Sequence, residues 1–221
     1  MNDTQIGVDL AKSVFEVAIS HEPGRVHARR RLSRAKFQRF LSNHEPAQIL
    51  MEACGTGHFW GRECEALGHR VRLLHPGDVA RYRDGNKTDR ADAKAVLEAS
   101  RNQDIDAVPV KSEQQQAMTA LHRLRQGYLR TRTARINAVR GHLREFGINI
   151  PLGSGQFMAR AQAVLAEKVL PSYLTAALDD ALDEIVALKA KADALRSQLE
   201  ALVEHTPDAR PTHACSCPCR G

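Results

Sequence analysis

A chain of 221 residues, 43% apolar and 26% charged, can hold one full domain core plus an extension, or two small domains. No apolar run approaches the ~20 residues of a bilayer span, and the opening Asn2-Asp3-Thr4-Gln5 lacks a basic-then-apolar signal pattern. A cytoplasmic protein without a bilayer span is therefore expected, while a formal net charge of +6 tilts its partners toward polyanions.

Residues 5–9 and 14–20 are short β-favouring runs joined by Leu10-Ala11-Lys12-Ser13. The second alternates, with Val14, Glu16 and Ala18 opposite Phe15, Val17 and Ile19, as a half-buried strand does. After the turn Glu22-Pro23-Gly24, residues 25–32 supply a third, strongly basic strand, so an antiparallel meander is expected. Ser33 is placed to cap a short helix with Phe37, Phe40 and Leu41 on one side. Residues 48–51 read as a buried strand ending at Glu52, and Gly55-Thr56-Gly57 breaks it. A helix over 58–67 stops at Gly68, a strand follows over 70–74, and Pro76 opens another short helix. Asp84-Gly85-Asn86 turns, and Thr88 caps a helix carrying Asp89 and Asp92. The order βββ-α-β-α-β-α predicts an α/β class, a mixed sheet with flanking helices in the order of the ribonuclease-H-like fold.

Beyond Pro109 the strand signals stop. Residues 112–145 read as one long helix with Met118, Leu121, Leu124, Tyr128, Ile136, Val139, Leu143 and Phe146 near one stripe, which Arg132 interrupts as a snorkelling side chain. A Gly- and Pro-containing break covers 147–155, and a last helix covers 174–203. There Leu178, Leu182, Ile185, Leu188, Ala192, Leu195, Leu199 and Leu202 follow mostly alternating three- and four-residue steps, a coiled-coil seam. Such a seam serves equally for packing against the preceding long helix or for a helical homo-oligomer. The expected organisation is a core over 1–108, a long basic helix over 109–150, a helical coiled-coil region over 151–205 and an irregular tail over 206–221.

Charge is unevenly spread. Residues 21–40 hold seven basic side chains against Glu22, residues 121–145 hold seven arginines against Glu145, and residues 174–204 hold seven acids against three bases. One part of the chain is thus suited to a polyanion and another is not. Cys54 and Cys64 fall in the expected core, while Cys215, Cys217 and Cys219 crowd the tail at a spacing unlike the paired Cys-x₂₋₄-Cys of structural zinc.

Asp89 and Asp92, three apart on a helix, share a face. Asp9 and Glu52 each end a strand-like run, at the place where neighbouring strand ends of a mixed sheet form a crevice. Four carboxylates converging there suit a pair of hard divalent cations acting on a phosphodiester, one activating the attacking oxygen and one stabilising the leaving oxygen.

The residues here resemble a known family. Ile6-Gly7-Val8-Asp9-Leu10-Ala11-Lys12 with Val14-Phe15-Glu16-Val17 is similar to the opening of the DEDD transposases of bacterial insertion sequences. Met51-Glu52-Ala53-Cys54-Gly55-Thr56-Gly57 resembles their glutamate motif, and Lys87-Thr88-Asp89-Arg90-Ala91-Asp92-Ala93 their paired-aspartate motif. The resemblance extends to about Glu204. It implies a RuvC-like catalytic domain with the tetrad Asp9, Glu52, Asp89 and Asp92 on two magnesium ions. It also implies a coiled coil used in assembly, and DNA recombination guided by an RNA from the element. Lys12, Arg29, Arg30, Arg31, Lys87, Arg90, Arg123 and Arg130 are the candidate nucleic-acid contacts, and a DNA partner would place the protein at the nucleoid. The family continues into a second domain bearing a serine nucleophile. Here the chain turns at Pro207 into a cysteine-rich tail, and neither Ser154 nor Ser216 has the surroundings of that nucleophile, so a truncated or frameshifted product is expected. The alternatives are a non-catalytic nucleic-acid-binding fragment that modulates the full-length transposase, and a stand-alone RuvC-like nuclease. An actin-like ATPase, which also opens on Gly-x-Asp, fits poorly because Leu10, Ala11 and Lys12 replace its small and hydroxyl phosphate-binding residues.

Overall fold

The structure is a computed structural model that describes residues 4–23, 25–83, 89–151, 153 and 155–205, with the side chains of Asp89, Arg90 and His205 outside the described set. Lys87, Thr88, the 84–86 turn, Ser154 and the tail from 206 onward, with its three cysteines and Ser216, also lie outside it. The chain divides into two compact units, Met1–Gln116 and Ala117–Gly221.

The first unit is built on five strands: β1 (Gln5–Asp9), β2 (Val14–Ser20), β3 (Ala28–Ser33), β4 (Gln48–Glu52) and β5 (Arg70–Leu74). They form one sheet in the order β3-β2-β1-β4-β5. The meander β1-β2-β3 is antiparallel, and β4 and β5 join β1 in parallel. The mixed sheet therefore follows the expected order, with β3 starting three residues later than the basic run suggests.

The alternation in β2 sorts the two faces. Phe15, Val17 and Ile19 join Ile6, Val8, Ile49, Met51 and Leu73 under α1 (Arg34–Ser42) and α2 (Gly57–Ala66), whose Phe37, Leu41, Trp60 and Cys64 complete that core. Ser33 caps α1 by accepting from the Lys36 amide, as its position predicts. On the opposite face Ala18, Leu50 and Leu74 pack against α3 (Pro76–Ala80) and α4 (Asp89–Arg101) through Val79, Ala93, Val96 and Leu97.

The second unit holds most of α5 (Glu113–Glu145), α6 (Phe157–Ala166) and α7 (Ser172–His205). The seam residues Leu178, Leu182 and Ile185 are buried with Ile136, Val139 and Leu143 of α5 and with Phe157 and Ala161 of α6. Met118 meets Leu199, Arg135 pairs with Glu184 at 2.6 Å, and Lys191 lies over Tyr128, so α5 and α7 run antiparallel. The apolar seam is thus filled within the chain. Two members of the expected α5 stripe face solvent instead, Leu124 and Phe146. The helix α6 falls directly after the Gly- and Pro-containing break, where the sequence reading has no element; Arg140 helps fix this region by lying over the Phe157 ring, 5.2 Å away, and donating to the Gly153 carbonyl. Among the described residues no helix is long and apolar enough to cross a membrane.

Candidate active site

Strand register fixes the first two acids. β1 and β4 run parallel with Gly7 beside Leu50 and Val8 beside Met51, so Asp9 and Glu52, the next residue on each strand, end side by side. Side chains two apart on a strand share a face. Asp9 therefore faces with Gly7, and Glu52 with Leu50, toward α4. Asp9 also pairs across β2 with Glu16, which shares the face of Ala18. The result is a row of three acids on adjacent strands, Glu16, Asp9 and Glu52. Like charges directly opposite on paired strands are destabilising, and Arg31, opposite Glu16 on β3, answers this with an ion pair at 3.4 Å.

Helix α4 brings Asp92 of the paired-aspartate motif over this row. A Cβ on Gly7 would lie 2.6 Å from the Ala93 carbonyl oxygen and 2.8 Å from Leu97 Cγ, so only glycine lets the helix seat on β1. Arg72 of β5, on the same sheet face as Leu50, donates to the carbonyls of Ser100 and Ile105 and ties down the far end of α4. Tyr82 accepts from Asn102 at 2.9 Å and links that end to the segment after α3. Asp92 is consequently buried, at 5% exposure. Its carboxylate accepts from Arg83 Nε, and the same guanidinium reaches Glu52 Oε1 through Nη2 at 3.9 Å. Glu52 and Asp92 are thus gathered about one cation, Arg83, which the sequence reading missed. Asp89 begins α4 one helical turn before Asp92.

The glutamate motif is a turn that folds back on its own strand. The Cys54 amide donates to the Glu52 carbonyl at 2.8 Å, and the Gly57 amide to the Cys54 carbonyl at 3.0 Å. A Cβ on Gly57 would sit 2.7 Å from the Glu52 carbonyl oxygen, whereas Gly55 has open space, so Gly57 is the glycine the turn requires. Burial pushes the Cys54 thiol above its ordinary pKa; the backbone at Thr56 opposes this, and the negative charges of Glu52 and Asp9 add to it.

The donor chemistry around Asp9, Glu52 and Asp92 suits a hard divalent cation, being carboxylate oxygen throughout, with a guanidinium already standing between two of the acids. Among the described residues no three His, Cys, Asp or Glu side chains close tightly enough to hold an ion, and the Asp89 side chain is not in that set.

The basic candidates do not form one patch. Lys12 is exposed in the β1–β2 connection, at the end of the sheet that carries Asp9. Arg29 and Arg31 pair with Ala18 and Glu16 and share the acid-bearing face, while Arg30 pairs with Val17 and lies on the other face, over Phe40. Arg123 and Arg130 are exposed on α5 in the second unit, and Arg90 and Lys87 contribute no described side chain.

A five-stranded mixed sheet whose acid-bearing strand ends lie under a helix with a buried aspartate defines a class of α/β domain, and comparison supplies its family. A model of the IS110-type DEDD transposases, described as a transposase, matches residues 6–148. The chain belongs to this transposase family. It is 41% identical over 206 residues to a protein of Pseudomonas aeruginosa named "Probable family 20 transposase", covering 92% of this chain and 61% of that one. It is 38% identical to the transposase for insertion sequence element IS1328 of Yersinia enterocolitica, covering 78% of this chain and 52% of the relative. Against the transposase for insertion sequence element IS1111A of Coxiella burnetii it is 34% identical, covering 77% and 47%. The chain spans about half to three-fifths of the length of these curated relatives.

Proposed function

We propose that the first unit is a ribonuclease-H-like, RuvC-like domain acting on DNA strands, and that Asp9, Glu52, Asp89 and Asp92 are its metal-binding carboxylates. The observation that carries this reading is the convergence on one sheet face of Asp9 and Glu52 by register with the buried Asp92 through Arg83. These four acids would hold two magnesium ions, which when bound supply charge neutralisation at a phosphodiester and activation of the attacking oxygen. The fold's own part is positional. Gly7 and Arg72 fix α4, the Gly57 turn fixes Glu52, and Lys12 and Arg29 offer cations near the acid row for phosphate contact.

Arg83 has a defined role in this scheme. It holds Glu52 and Asp92 together in the metal-free state and must yield those oxygens when a metal ion binds. The same residue favours the second reading, a nucleic-acid-binding fragment without catalysis, in which Arg83 stays in place.

Strand exchange, an RNA guide and self-association belong to the proposal for the full-length relatives. Because the α7 seam is filled by α5 and α6, self-association would draw on outward residues such as Leu124, Val186 and Val203. The discriminating experiment measures magnesium-dependent nicking of DNA from the element ends, with and without RNA transcribed from the element. Asp9→Asn and Asp92→Asn should abolish nicking while leaving DNA affinity in EDTA unchanged. Equal nicking by wild type and both variants would sink the catalytic reading.

A further inference from the structure

The sheet face turned away from the acids carries a second basic feature. Between β3 and α1 lies an open groove of about 460 Å³ lined by Arg30, Lys36, Arg39, Phe40 and His44 among others. That volume falls within the ~300–1,000 Å³ usual for sites that take a small molecule or a single residue of a chain. No acid lines it. Arg31 is matched by Glu16 and Arg25 by Glu22, yet among the described residues no carboxylate pairs with Arg30, Lys36 or Arg39.

The groove also offers planar surfaces. The Arg30 guanidinium lies 5.6 Å from the Phe40 ring centroid, and the His44 ring stands 5.3 Å from Phe40 at a tilt. Phe40 is in turn backed by Phe37, which is fully buried. A guanidinium and an aromatic ring each offer a planar face on which an unpaired base stacks, and neighbouring cations meet the flanking phosphates. Duplex DNA hides its base faces, so this combination suits an unpaired strand.

Placement says which strand. Arg30 pairs with Val17, on the face opposite to the one that bears Ala18, Asp9 and Glu52. A strand lying in this groove is separated by the sheet itself from the carboxylates. We propose that the β3–α1 groove binds an unpaired nucleic-acid strand other than the one presented to the acids, stacking a base on Arg30 and Phe40 and holding its phosphates with Lys36 and Arg39. The chemistry is shared by RNA and single-stranded DNA. The site stands apart from the metal reading, since it needs neither the acids nor an ion.

The test uses the full chain in EDTA with fluorescein-labelled 12-nucleotide RNA, DNA of the same sequence, and the corresponding duplex DNA, read by anisotropy. Lys36→Ala with Arg39→Ala should weaken single-strand binding about tenfold. The slope of log affinity against log salt should flatten by about 1.4, ~0.7 for each lost phosphate contact. Arg30→Ala should weaken single-strand binding at least fivefold and leave duplex binding within twofold. Emission from Trp60, 5.1 Å from Phe37 in the adjacent core, checks that each variant is folded. Photocrosslinking with a halogenated or thio-substituted pyrimidine should mark the peptide containing Phe40. Tighter binding of RNA than DNA by wild type, lost in the variants, assigns the groove to RNA, and the reverse assigns it to DNA. Equal losses for duplex and single strands, or crosslinks confined to α5, overturn the proposal. Because every arm is run in EDTA, its outcome is read independently of the catalytic reading.

Discussion

Gly7→Ala is the sharpest perturbation of the geometry that places α4. The added Cβ would meet the Ala93 carbonyl oxygen at 2.6 Å and Leu97 Cγ at 2.8 Å. Neither neighbour can yield cheaply. The first is helix backbone, and Leu97 is fully buried among Ala93, Val96 and the sheet. Overpacking of a closed core costs ~1–3 kcal/mol, and a backbone clash puts this case at about 3 kcal/mol, a hundredfold or more in the folding equilibrium. Urea unfolding followed by Trp60 reads this unit selectively, because Trp60 is the chain's single tryptophan and is buried in its core. Gly55→Ala is the control, since its Cβ meets nothing within 4 Å; it should be neutral or stabilise by ~0.4–1 kcal/mol. A Gly7→Ala loss under about 0.5 kcal/mol, or an equal loss in the control, would refute the claim that the glycine exists to seat α4.

Arg83→Gln should cost about 3 kcal/mol in EDTA, the low end for breaking a buried pair because Arg83 keeps a fifth of its side chain exposed. On the proposed reading magnesium should restore much of that loss, seen as a larger rise in melting temperature than for wild type; equal rises would argue against competition between Arg83 and the ion. Burial pushes the Cys64 thiol up to about 12 from its ordinary 9.0. The unfolded chain then releases this proton first, so stability should fall between pH 9 and 12, by at most ~1.4 kcal/mol per pH unit from this group. Cys64→Ala should flatten that slope in alkaline urea titrations, and an unchanged slope would remove the thiol from the account. In the second unit, Leu182→Ala should destabilise the hairpin by ~2–5 kcal/mol in circular dichroism melts, whereas Arg135→Ala should cost under about 1 kcal/mol because its pair with Glu184 is exposed.

Where each local signal pointed to one structure, the sequence sufficed. The alternation of residues 14–20, the cap at Ser33 and the Gly68 stop all reappear as strand, helix start and helix end. The acids at strand ends were legible because a polar residue closing an apolar run has few reasons to be there. Arg83 was not legible, since nothing local distinguishes an arginine after a short helix from a solvated one; only the packing of α4 turns it toward Glu52 and Asp92. Arg29, Arg30 and Arg31 read as one basic run, but strand geometry sends Arg30 to the opposite face. The stripe on α5 misassigned Leu124 and Phe146 because helical spacing marks a face without saying how far a partner extends along it. The helix α6 escaped notice because its apolar content lacks a clear period next to a break rich in glycine.

On the proposed reading, the charges around the site bear on which acids would serve a metal. At one level across the sheet stand Arg31, Glu16, Asp9 and Glu52, with Arg83 and Asp92 beyond. Three acids on adjacent strands would repel one another, and the fold supplies a guanidinium at each end of the row. The two arginines differ in origin. Arg31 belongs to β3, and strand register sets it opposite Glu16 in an exposed pair worth under about 1 kcal/mol. Arg83 stands outside any strand or helix, and its contacts to Glu52 and Asp92 depend on no ladder. On the proposed reading a divalent ion takes Arg83's place against a cost of about 3 kcal/mol, offset by two charges on one centre where the guanidinium brings one. On the proposed reading Glu52 serves the ion rather than Glu16 because Arg83 gathers Glu52 with the buried Asp92, whereas Glu16 pairs with Arg31.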